Sequence, residues 1–224
     1  MIGKLGLDAS EMKSDAPPRQ HAGAGIRSLR CKVDFDKNGS MIQLVATKYD
    51  PSNRDPWGAY TVDEWTSSSD VGRVYNGSIV TPVDYLQIED AYVACVKQLL
   101  AYSHCDGLCI SGLEDRRGHW KREEARRGRP FLDPVIARMR PAALGPLQDG
   151  LTLGGTDLES LVRMILREQL WCRLAGPGGT QVHFKFDYYM YIMCDSGDLP
   201  FGPPPTGMFY EELESPYTEM LLGS

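Results

Sequence analysis

The chain has 224 residues, 42% of them hydrophobic and 24% charged, with a net charge of −6, which fits one soluble globular domain with a sizeable core. No apolar run approaches the roughly 20 residues that a membrane-spanning helix needs, and Met1-Ile-Gly-Lys-Leu-Gly-Leu7 lacks a signal-peptide core, so the expected location is the cytoplasm. The 23 Gly and 15 Pro predict long, punctuated loops.

Residues 1–24 mix Ser, Pro, Gly and charge without periodicity and are expected to form a flexible arm, leaving 25–224 as one domain. Ile26 to Asp36 and Met41 to Lys48 read as two strands around Asn38-Gly39, a pair that supplies the positive φ of a hairpin turn. Tyr49 to Trp57 carries turn chemistry, Tyr60 to Trp65 is expected to return as a short strand, and Val71 to Gly77 is an extended piece ending in a turn. A helix follows, with Thr81 as N-cap, Pro82 at the first helical position and Tyr85, Ile88, Tyr92, Val96 and Leu99 as its apolar stripe. Asp84 and Glu89 put negative charge near its N-terminus. Gly107 to Ser111 reads as a short buried strand.

Composition changes over 114–140, where nine basic residues face five acidic ones, a surplus of four. With the whole chain at −6, everything outside this basic insert sums to −10, and the acidic tail 195–224 holds six acids and no base. Nucleic-acid modules usually make the whole domain basic and interleave stacking aromatics, whereas only Trp120 lies in the basic run. A short helix is expected from Asp133-Pro134. Thr156-Asp-Leu-Glu159 matches a capping box, and the helix after it carries Leu158, Leu161, Val162, Ile165 and Leu166 on one face, with Arg163, Arg167 and Glu168 on the other.

Gln181 to Cys194 reads as one long central strand, because aromatic and β-branched residues fill a period of two. Val182, Phe184, Phe186, Tyr188, Met190 and Ile192 form its core face, while His183, Lys185, Asp187, Tyr189 and Tyr191 form a polar face, either solvated or the floor of a site. Beyond the proline-rich stretch to Pro205, Gly207 to Glu211 is expected to add an edge strand. The predicted fold class is therefore α+β, a single mostly antiparallel sheet with two main amphipathic helices on one face and long Pro/Gly-rich loops.

Motifs for chemistry are sparse. Cys95, Cys172 and Cys194 sit in apolar periodic segments, so the six cysteines are expected as reduced thiols. His104, Cys105 and Cys109 form half of a zinc pattern without its second half, and no metal or cofactor is expected. Ser111 follows a strand but lacks the glycine-Ser-glycine elbow. No phosphate loop or dinucleotide fingerprint occurs.

The run His183 to Tyr191, the helix start Thr81-Pro-Val-Asp-Tyr85 with Glu89, Leu113-Glu114 after a strand, and the closing Gly207-Met-Phe-Tyr210 with Ser215-Pro-Tyr217 resemble bacterial immunity proteins of polymorphic toxin systems. The resemblance spans 70–217 and implies a cytoplasmic α+β protein that binds a cognate toxin, often a nuclease, and occludes it without catalytic residues of its own. A nuclease is usually basic, and an acidic inhibitor gains encounter rate from charge complementarity. The candidate contact residues are Trp65, Asp187, Tyr189, Tyr191, Asp195, Asp198, Phe209, Glu211, Glu212 and Glu214. Two other readings stand beside it. One is a small hydrolase or transferase using His183, Asp187 and the tyrosines of the polar strand face, although an extended strand would hold His183 and Asp187 about 13 Å apart. The other is a nucleic-acid-binding accessory protein using Arg116 to Arg129.

Overall fold

A computed structural model describes residues 41–127, 133–138, 144–195 and 202–212. The expected N-terminal arm and the strand at 26–36 lie outside them, as does most of the acidic tail. The fold is α+β. Seven strands, all paired antiparallel, run in the order β5 (Thr152–Leu153), β4 (Leu108–Asp115), β6 (Leu170–Ala175), β7 (Gln181–Phe184), β8 (Tyr189–Asp195), β1 (Met41–Thr47), β9 (Phe209–Glu212). From Leu44 to Thr47 both edges of β1 are taken, by β8 and by β9. A separate hairpin joins β2 (Val74–Tyr75) to β3 (Ser78–Ile79) through Asn76-Gly77, both at positive φ.

Alternation decides which side chains meet the helices. Leu44 and Ala46 of β1, Leu108 and Ile110 of β4, Cys172 and Leu174 of β6, Val182 and Phe184 of β7, and Met190 and Ile192 of β8 share one core with α1 (Pro82–Tyr102) and α4 (Gly155–Leu166). The start of α1 is as the residue types dictate: Thr81 Oγ1 accepts from Asp84 N, Asp84 reaches back to Thr81 N, and Pro82 opens the helix. Two shorter helices, α2 (Arg117–Arg127) and α3 (Pro134–Arg138), carry the basic segment, and β4 runs eight residues, well past Ser111, into its start.

Several local expectations are corrected. Tyr60 to Trp65 forms no strand, and Tyr60 makes only an isolated bridge to Arg54. Thr156 is not the cap of α4. The helix begins at Gly155 with Gly154 in the cap position, where only glycine fits: a Cβ on Gly154 would sit 2.1 Å from the Asp106 carbonyl oxygen. Glu159 instead bonds Lys97 of α1 at 3.0 Å. Arg163 and Arg167 do not line a solvated face either. Arg167 is 2% exposed and holds Glu89, itself fully buried, through two 2.7 Å bonds, while Arg163 adds a third at 2.8 Å. This ion cluster ties α4 to α1, and Arg167 Nη1 extends it to the Ile136 carbonyl of α3.

The largest correction concerns 181–194. The stretch does occupy the middle of the sheet, but as the two strands β7 and β8, folded back on each other at Lys185 to Tyr188, with Phe184 opposite Met190. Nor is its polar face solvated: His183 and Tyr191 lie opposite each other and are 4% and 5% exposed, beside fully buried Val45 and Thr47 on the same side of the sheet. Lys185 and Asp187 are exposed because they belong to the turn.

Candidate functional site

The 185–188 turn has none of the glycines that usually make such reversals possible. Asp187 (φ 61°) and Tyr188 (φ 59°) both adopt the left-handed region, at about 1–2 kcal/mol per residue. Tertiary contacts hold them there. Lys185 N donates to Tyr189 O at 2.8 Å, the Tyr92 hydroxyl donates to the Tyr188 carbonyl, and the Tyr188 ring is buried among Trp65, Tyr85 and Tyr92. A third left-handed residue, Glu168 (φ 56°), follows α4. Its N–H bonds Ile165 O and the next N–H bonds Met164 O, a Schellman ending with Glu where glycine is preferred.

Of the five non-glycine residues at positive φ among those described, these three line one cleft of about 230 Å³ at the end of β6 and β7. Backbone strain of this kind concentrates at functional sites. Ser67 Oγ donates to Glu168 Oε1 at 2.9 Å and also accepts from Ser69 N, capping the 3-10 turn Ser68–Asp70. Burial pushes the Glu168 carboxyl above the usual carboxylate range, and Asp70 and Asp187 add to the push while Ser67 and Arg116 oppose it. Arg116 is paired with Glu114 at 3.1 Å. Trp171 and His183 form a wall, rings 5.2 Å apart at 73°. Burial, then the charges of Arg173 and Lys185, push the His183 imidazole down to about 4, so it is neutral at pH 7. The cleft therefore gathers His183, Asp187, Glu168 and a hydroxyl, which the turn makes possible and an extended strand would not.

On its outer side the same turn opens onto an acidic, aromatic corner. Strand register aligns Tyr189, Thr47 and Phe209 in one row and Tyr191, Val45 and Glu211 in the next. Arg54 from the 48–65 loop clamps Glu211 with bonds of 3.0 and 2.9 Å, and its Nη2 also donates to the Tyr189 hydroxyl at 3.4 Å. Tyr49 stacks between Tyr60 (5.0 Å) and Tyr189 (5.5 Å). Lys48, buried over the rings of Tyr49 and Trp65, donates to Glu64 at 2.9 Å, and the Tyr60 hydroxyl donates to the other Glu64 oxygen at 2.7 Å. Over 48–65, 185–189 and 209–212 there are seven carboxylates against three cations. The field at this corner is thus negative.

Comparison with protein-family models, with curated proteins and with solved structures finds no match. The site is accordingly defined by its residues. Of the expected contact residues, Asp187 and Glu212 are exposed, Tyr189 and Phe209 are half-buried at the corner, and Glu211 is engaged by Arg54. Two do not protrude: Tyr191 is buried, and Trp65 packs against the core with Tyr85 and Tyr188. Asp195 closes β8 opposite Met41, and Asp198 and Glu214 lie outside the described residues. Sequence reasoning missed Arg54, Glu64 and Glu168, whose roles depend on partners far along the chain. It also passed over Trp57, which is 93% exposed.

Among the described residues no group of three or more His, Cys, Asp or Glu is placed to hold a metal ion. His104 is exposed, Cys105 and Cys109 are buried, and the five described cysteines are free thiols. No helix among them is long and apolar enough to cross a membrane. In the basic segment Arg117 is held by Asp115 and Arg116 by Glu114, which neutralises its first two arginines.

Proposed function

We propose that this chain is an immunity-type protein that binds a basic toxin domain and blocks it with the corner built from the 48–65 loop, the 185–189 turn and β9. The observation that carries this reading is the acidic surplus of that corner together with aromatic rings fixed by a bonded network, in which Arg54 locks Tyr189 and Glu211 in place. Rigid aromatics supply contact area at low entropic loss, and carboxylates around them steer a basic partner. The resemblance of 70–217 to immunity proteins points the same way.

The test is a titration of the full chain against any basic toxin domain found encoded beside its gene. A stable complex is expected, with toxin activity lost and the association rate falling steeply as salt rises from roughly 50 to 500 mM. Asp187→Lys combined with Glu212→Lys should slow association about tenfold and leave dissociation nearly unchanged. A toxin that stays free and fully active beside the chain sinks the reading.

A second reading, a small hydrolase or transferase, is favoured by the cleft, where strained backbone, the Ser67–Glu168 bond and His183 converge. It requires turnover that Glu168→Gln removes. A chain that inhibits the toxin stoichiometrically and turns nothing over leaves this reading without support.

A further inference from the structure

Trp57 is the most exposed large apolar side chain among the described residues, 93% open to water. An indole carries about 150–250 Å² of surface that favours burial. Its backbone, by contrast, is tightly fixed. Asp55 Oδ1 accepts from Trp57 N at 2.9 Å and from Ala59 N at 2.8 Å, Asp55 N donates to Ala59 O at 2.9 Å, and Gly58 N donates to Asp55 O at 2.9 Å. Gly58 takes φ +84°, which only glycine adopts without strain. Arg54 Nη1 donates to Gly58 O at 3.0 Å while its other nitrogens clamp Glu211, so the loop tip is tied to β9. The ring itself is presented to solvent on a loop whose polar backbone groups are largely satisfied.

We infer that Trp57 is the anchor of the partner interface, inserting into an apolar pocket lined by Lys or Arg on a basic protein. This rests on the toxin-binding reading and deepens it. Tryptophan is over-represented among residues that dominate binding, and a pre-ordered loop loses little entropy when it docks. The chemistry of the partner follows from the surroundings. The Asp55 carboxylate bonds the backbone N–H of Trp57, Asp63 and Glu64 lie on the same loop, and Arg54 is already neutralised by Glu211. That setting repels an anionic surface. A cation over the ring face, for which tryptophan is the best aromatic, satisfies both the field and the ring.

The experiment is calorimetric titration of the neighbouring toxin domain with the full-length chain, Trp57→Ala, Trp57→Phe and the remote control Val83→Ala, a residue 71% exposed on the first turn of α1. Trp57→Ala should weaken binding by about thirtyfold or more, Trp57→Phe by less, and Val83→Ala by under about twofold. Thermal unfolding midpoints should not move. In the wild-type complex the tryptophan emission should shift to the blue, and the shift should vanish in Trp57→Phe. Wild-type affinity in Trp57→Ala overturns the inference while leaving the toxin-binding reading intact. No complex with the wild-type chain overturns the reading and the inference with it. A concentration-dependent dimer or binding to anionic vesicles that Trp57→Ala abolishes assigns the ring to another occupant and also overturns the inference.

Discussion

At Asp187 the backbone is left-handed and the side chain is exposed, so the residue's conformation is maintained by its neighbours and not by bonds of its own. Replacing Asp187 with Gly removes the Cβ conflict, and the folded chain should gain about 1 kcal/mol in urea denaturation. The same variant deletes a carboxylate from the acidic corner and should slow association with the basic partner proposed above. A loss of stability would mean that the aspartate side chain holds the turn. His183 provides a second residue-level test. Its imidazole titrates near 4 in the fold against an ordinary 6.5. Above about pH 6.5 it is neutral in both states, whereas between 6.5 and 4 the unfolded chain takes up a proton that the folded chain refuses. Stability should therefore fall with acidification through that window, by about 3 kcal/mol at its lower end, and His183→Gln should flatten this part of the profile. Equal slopes for the two proteins between pH 7 and 4.5 would count against this assignment.

Among the elements, α1 and α4 are joined by charge as well as by apolar packing. Glu89 has no exposure and Arg167 almost none, so removing one partner leaves the other stranded in a medium that solvates it poorly. Glu89→Gln should destabilise the protein by about 3 kcal/mol, and Arg163→Ala, at the half-exposed rim of the cluster, by about 1 kcal/mol. If the two variants unfold at the same denaturant concentration, the buried bonds to Arg167 contribute less than their geometry implies.

This cluster also marks where sequence patterns ran out. Arg163, Arg167 and Glu168 read in the sequence as one polar stripe, although only Arg163 lies within α4, and periodicity alone cannot tell a stripe facing water from one facing an acid 78 residues away. The cap at Thr81, the edge strand at 209–212 and the inward set Val182, Phe184, Tyr188, Met190 and Ile192 were legible because each depends on neighbouring residues. The inward set even survived the wrong assumption of one continuous strand, since the reversal pairs Phe184 with Met190 and preserves the alternation. The reversal itself was hidden: Lys185-Phe-Asp-Tyr188 contains no turn-forming glycine, and the contacts that impose it come from α1 and the 48–65 loop. The cleft was hidden with it, because Ser67 and Glu168 meet across 101 positions of chain.

For the whole molecule, the cleft and the acidic corner meet at the 185–189 turn. A ligand in the cleft and a protein at the corner would share the turn residues Lys185, Asp187 and Tyr188. The clamp from Arg54 to Glu211 spans 157 positions and so joins an early loop to the last described strand. During synthesis at about 5–20 residues per second the loop emerges well before its fastener. Until β9 has left the ribosome, Arg54 lacks the Glu211 carboxylate and the tryptophan loop lacks that tie to the sheet. The bearing of the Trp57 loop on the sheet is thus completed only once β9 has been made.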